Sequence, residues 1–135
     1  MSSVVDLCNL ALSRLGDSAT VASIDPPEGS SQAEHCSRFY PIARDSLLEM
    51  HDWKFATRRA PLSELTVDSF NWAHAYAEPN GALRIISVLD ATQSAEDESY
   101  PFAAESCEDG AAWIYTDLQN ATVRYVARVA DTTKF

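Results

Sequence analysis

The chain has 135 residues, 46% hydrophobic and 22% charged, the length and balance of one folded domain with a real core, which excludes a disordered chain. Twenty acidic against ten basic residues give a net charge of −10, which argues against affinity for nucleic-acid phosphates and for anionic membrane surfaces. No segment is long and apolar enough to span a bilayer. The N-terminus has no basic stretch and Asp6 interrupts its apolar run, so no signal peptide is expected, and Cys8, Cys36 and Cys107 suit reduced thiols better than a disulfide framework.

The first half reads as helical. Val4, Cys8, Ala11, Leu12 and Leu15 recur at helical spacing, Ser3 and Asp6 form a capping-box pattern, and Gly16 stands where a left-handed C-terminal residue belongs, so residues 3–15 are a helix. Pro26, Pro27, Gly29 and Ser30 mark a loop. A second helix follows, with Ser31 and Glu34 as a second capping box. One of its faces carries Ala33, Cys36, Tyr40, Ala43, Leu47 and Met50, widened by Phe39 and Leu48. It runs to about Trp53, with a kink expected at Pro41, where a backbone donor is missing.

The second half changes period. Leu83 to Leu89 is a β-branched run after the turn-forming Pro79-Asn80-Gly81. Residues 100–107 and 111–116 flank Glu108-Asp109-Gly110, a hairpin signal. From Ala121 to Val129 the chain alternates, with Arg124 and Arg128 on the outward side. The expected fold is α+β: two main helices packed with a small antiparallel β-sheet meander in the C-terminal half. It forms a single domain over 1–135, helical over about 1–62 and β over about 80–130.

Catalytic chemistry finds little support in the pattern. No CxxC, HxxxH or HExxH occurs, His35 and Cys36 are adjacent on a helix and so point to different faces, and there is no nucleophile elbow or phosphate loop among only four glycines. No catalytic residue, metal site or cofactor is expected. Charge is distributed unevenly: Asp90 to Asp117 holds eight acids and no Lys or Arg. Glu96, Asp97, Glu98, Glu105, Glu108 and Asp109 thereby form a candidate DNA-repelling face, with plain solubility as the alternative. Lys54, Arg58 and Arg59 cluster beside Trp53 and Phe55, a combination typical of interface anchors, with core packing of the two aromatics as the alternative.

At these residues the chain resembles a specific family. The run Asp6-Leu7-Cys8-Asn9-Leu10-Ala11-Leu12-Ser13-Arg14-Leu15-Gly16, followed by Ile24-Asp25, is similar to the opening of phage head–tail connector proteins. These are the adaptor, or tail tubular protein A-like, subunits of short-tailed phages and prophages. Phe39 to Leu48, then His51-Asp52-Trp53-Lys54-Phe55-Ala56 and Arg59-Ala60-Pro61-Leu62, continue the likeness. So do Trp72 to Tyr76, Pro79, Leu83-Arg84-Ile85, Trp113 to Asp117 and Val123 to Val129.

The resemblance implies a structural virion protein: a homo-oligomeric ring, usually of twelve copies, below the portal, extending the DNA channel and receiving the tail. Its partners would be the portal and the tail or nozzle proteins. Its location would be the host cytoplasm during assembly and then the virion, with no enzymatic activity, no specific nucleic-acid binding and no membrane. Trp53, Phe55, Arg58, Arg59, Trp72 and Tyr76 are then the candidate assembly interface. Family members commonly continue past a segment like Asp131 to Phe135 into an amphipathic helix that grips the portal. The expectation here is a short variant or a trimmed product, compatible with a monomer that assembles only on a portal template. A bacterial interaction or chaperone-like domain is the alternative, and a small hydrolase a more distant one.

Overall fold

The computed structural model describes residues 3–90 and 99–135. The chain divides into two compact units, Met1–His51 with Val129–Phe135, and Asp52–Arg128. The first holds helices α1 (Val4–Arg14) and α2 (Ser31–Glu49). Among the described residues the second holds six strands: β1 (Thr57–Pro61), β2 (His74–Ala77), β3 (Ala82–Asp90), β4 (Phe102–Ser106), β5 (Ala112–Thr116) and β6 (Ala121–Ala127). The fold is α+β. Its β part begins at β1, inside the stretch 1–62 that the sequence reading assigns to the helical part.

Helix α1 is closed at both ends by its own sequence. The Ser3 side chain accepts from the Asp6 N–H at 3.1 Å while the Asp6 carboxylate accepts from the Ser3 N–H at 3.0 Å. At the other end Gly16 is left-handed (φ +82°). The Gly16 N–H reaches the Ser13 carbonyl at 3.1 Å and the Asp17 N–H the Leu12 carbonyl at 3.0 Å, the paired bonds of a Schellman motif. The cap of α2 lies one residue before the expected one: Ser30 accepts from the Ala33 N–H at 3.1 Å. Helix α2 runs through Pro41 and stops at Glu49, short of Trp53, where the chain begins to turn toward β1. The buried cluster of this unit is small, made of Cys8, Val21, Ile24 and Ala33. Asn9 ties the loop to α1, its amide donating to and accepting from the Val21 backbone at 3.0 and 2.7 Å.

The strands form two three-stranded antiparallel sheets, ordered β1-β6-β3 and β2-β5-β4. β4 and β5 are the hairpin announced by Asp109-Gly110. Its turn is closed by the Gly110 N–H on the Cys107 carbonyl at 3.0 Å, with Gly110 left-handed at φ +89°. β6 enters through Asn120, also left-handed (φ +57°), and is laid between β1 and β3. The alternation of β6 is real: Ala121, Val123, Tyr125 and Ala127 join Tyr76, Val88 and Ile114 in one core, while Thr122 and Arg124 occupy the other face. β1, with the sequence Thr-Arg-Arg-Ala-Pro, carries no apolar alternation and escaped prediction. It is a short edge strand that ends on proline, where no ladder donor is needed.

Candidate assembly surfaces

Helix periodicity correctly marks an apolar face on α2, but the fold covers only part of it. Ala33 is buried and Cys36 and Tyr40 half-buried, whereas Phe39 (54%), Leu47 (58%) and Met50 (75%) are largely exposed, as is Ile42 (61%), which the periodicity did not assign to that face. Leu10 and Leu15 are exposed on the α1 side. Between the helices runs an apolar groove of about 320 Å³, walled by Leu7, Leu12 and Leu15 from one side and Cys36, Phe39 and Tyr40 from the other. His35 and Cys36, expected on different faces, both border it.

Two polar groups lie in this apolar setting. The Tyr40 hydroxyl is buried and finds no hydrogen-bond partner among the described residues; burial raises its pKa, partly opposed by the Arg44 guanidinium 5.9 Å from its ring centre. The Cys8 thiol is pushed up to about 11 by burial, and its hydrogen bond with the Cys36 thiol adds to the rise.

The expected interface residues of the β unit separate into two groups. Trp53 and Phe55 are each 38% exposed, with ring centres 6.1 Å apart and planes 32° from parallel. The Trp53 carbonyl accepts from the backbone N–H groups of Ala56 and Thr57 at 3.0 and 2.9 Å and from the Thr57 hydroxyl at 2.8 Å, which turns the chain into β1. Just beyond, Lys54, Arg58, Arg59 and Arg124 line a cavity of about 270 Å³ together with Asp52 and Thr57. Arg59 stands opposite Arg124 in the β1–β6 register, and Ser87 of β3 flanks Arg124 on its other side. Asp52, the one acid in this wall among the described residues, is ion-paired with Arg84. Arg124 completes a cleft of which the sequence reading singled out only Lys54, Arg58 and Arg59. The period-2 pattern that turned Arg124 outward was the available signal.

Trp72 and Tyr76 belong elsewhere. Tyr76 is 1% exposed and its hydroxyl donates to the Leu118 carbonyl at 2.6 Å, so it is a core residue of the β unit, not an exposed anchor. The polar tip of a buried tyrosine needs such a partner, and β2 supplies the position. Trp72 is half-buried and borders a different cavity with Phe70, Glu105 and Tyr115. Phe70 is 71% exposed with φ +54°, a left-handed conformation uncommon for a bulky residue; its ring meets that of Tyr115 edge-on at 6.0 Å.

Of the expected acidic face, Glu96, Asp97 and Glu98 lie outside the described residues. Glu105, Glu108 and Asp109 are exposed on the β4–β5 hairpin. Asp109 is structural as well as acidic: its carboxylate is held below the usual range by the Cys107 thiol and by the Ala111 N–H, which donates to it at 3.1 Å.

Among the described residues no three His, Cys, Asp or Glu side chains converge as metal ligands, and no helix is long and apolar enough to cross a membrane. The arrangement offers an apolar groove, a basic cleft and an acidic hairpin. No protein-family model matches the sequence, and no curated protein matches it.

Proposed function

We propose that this chain is a structural adaptor of a tailed-phage particle: one subunit of a ring beneath the portal that lengthens the DNA channel and receives the tail. The observation that carries this reading is the half-covered apolar surface of α2 and its end, with Phe39, Ile42, Leu47 and Met50 all more than half exposed and Phe39 walling an apolar groove. Single exposed apolar residues are ordinary; several large ones along one helix and its end, with Phe39 also walling the groove, favour a surface that another protein covers. The resemblance of the α1 and α2 segments to phage connector proteins favours a head–tail adaptor as that assembly. The charge of −10 supports a channel subunit, because an acidic wall lets DNA slide without adhering.

The same groove also serves an interaction or chaperone-like domain, and the two readings differ in their partners. The test uses a cognate portal protein. Co-sedimentation of the two, with rings of added mass in multiples of 14.8 kDa, is the expected result. Ile42→Asp and Leu47→Asp, placed on an already exposed face, are expected to fold and to lose incorporation. Binding of unfolded proteins without any portal association would instead favour the chaperone-like reading.

A further inference from the structure

We infer that the recess formed by Phe70, Trp72, Tyr115 and Glu105 in the β unit receives the guanidinium of an arginine carried by another protein. The recess begins in the strand ladder. In β5, Ile114 packs in the β core, so Tyr115 next to it lies on the opposite face of the sheet β2-β5-β4. The residues paired with Tyr115 on its two sides are Ala75 of β2 and Ala103 of β4, neither of which reaches beyond Cβ. Cover comes instead from the segment before β2. Phe70 meets the Tyr115 ring edge-on, with planes 76° apart, and Trp72 lines the same cavity. Glu105 lies diagonal to Tyr115 in the β4–β5 register, on the same face, and completes a cavity of about 310 Å³.

The segment is pinned in that shape. The Asp68 carboxylate accepts from the Phe70 N–H at 2.8 Å, the Ser69 carbonyl from the Trp72 N–H at 2.9 Å, and the Asp117 carboxylate from the Ala73 N–H at 2.9 Å. So held, Phe70 keeps a left-handed backbone that bulky residues avoid, and its ring stays largely exposed instead of folding into the core. The chemistry of the walls selects a cation. Aromatic faces attract positive charge, and Glu105 adds a carboxylate. Burial raises the pKa of the Tyr115 hydroxyl, and the Glu105 and Asp68 carboxylates raise it further, so both put negative potential on the recess. The described residues lining it include no cation, and the sequence from Asp90 to Asp117, residues 91–98 included, contains no Lys or Arg. A guanidinium suits these walls better than an ammonium: it stacks flat on rings, pairs with a carboxylate through its fork of N–H groups and is less strongly hydrated. The lack of a lining cation also favours a protein as the source. Free arginine would leave its α-carboxylate without a counter-charge, whereas an arginine within a chain has none to place. A volume at the small end for ligand sites fits one side chain.

The site does not depend on the adaptor reading, and its test needs no portal. The probe is arginine blocked as its Nα-acetyl, N-methylamide derivative, titrated into the native full chain at constant ionic strength. Two-dimensional heteronuclear NMR follows the Trp72 indole N–H. A saturable shift of that signal is expected, and none with the uncharged citrulline counterpart of the probe. Free arginine is expected to bind no better than the blocked residue. Phe70→Ala and Glu105→Gln, both at exposed positions, are each expected to fold by circular dichroism and to weaken binding roughly threefold or more. Glu108→Gln, an exposed acid that does not line the recess, should leave binding unchanged. A Trp72 signal that does not move, equal binding of the citrulline probe, folded variants that bind as the native chain does, or equal weakening by Glu108→Gln would each overturn the proposal. So would free arginine binding more tightly than the blocked residue, because the ligand would then be the amino acid itself. Tighter binding of tetramethylammonium than of either would overturn it too, by making the recess a site for alkylated ammonium. The citrulline comparison uses the native chain alone and decides the matter even where a variant does not fold.

Discussion

Arg59 of β1 stands directly opposite Arg124 of β6, so two like charges share one register position at the edge of a sheet. Like charges directly opposed across strands repel and weaken the pairing of those strands. Arg124→Gln is therefore expected to stabilise the isolated chain at low salt by roughly 0.2–1 kcal/mol. Urea unfolding followed by tryptophan fluorescence measures this, and the gain should shrink as salt screens the pair.

All three tryptophans, Trp53, Trp72 and Trp113, lie in the β unit, so fluorescence reports that unit and the 222 nm helical signal reports the other. Ile114 is completely buried in the β core. Ile114→Ala should lower the fluorescence-monitored stability by roughly 2–5 kcal/mol, the range for such a truncation in a packed core. Ser30→Ala removes the cap of α2 and should cost about 1 kcal/mol, read in the helical signal.

Tyr76 separates core from interface. Tyr76→Phe deletes only the hydroxyl that donates to the Leu118 carbonyl, and should cost about 1 kcal/mol of β-unit stability. Because the side chain is buried, association with the portal should be unchanged in the folded variant. Loss of assembly without loss of stability would return Tyr76 to the interface.

Cys8, with its thiol pushed up to about 11, should be nearly inert to alkylating reagents near neutrality. At pH 8 its thiolate is scarcer than that of an unfolded cysteine by about two orders of magnitude, taking an ordinary thiol near 8.5. Mass-spectrometric alkylation rates for the Cys8 peptide should rise about tenfold per pH unit up to about 11. A rate levelling off near pH 9 would contradict the burial argument.

The parts of the fold legible in sequence were those with redundant signals. Helix α1 carried periodicity, a capping box and Gly16 together, and β6 carried strict alternation. β1 and β2 were not legible as strands, since Thr-Arg-Arg-Ala-Pro and His-Ala-Tyr-Ala gain their structure by pairing with β6 and β5, which no local pattern encodes. The same blindness shaped the site. Trp53, Phe55, Arg58 and Arg59 are adjacent in sequence and could be read together, whereas Arg124 joins them only across a ladder spanning more than sixty residues. The α2 stripe showed that an apolar face exists; only the fold shows that Phe39, Leu47 and Met50 on it stay exposed.

Electron microscopy of the native chain mixed with its portal tests the central claim most directly. The adaptor account expects an added ring of density coaxial with the portal, with as many copies as the portal has subunits, and its loss in Ile42→Asp. Portal particles that look the same with and without saturating amounts of the folded native chain would contradict it.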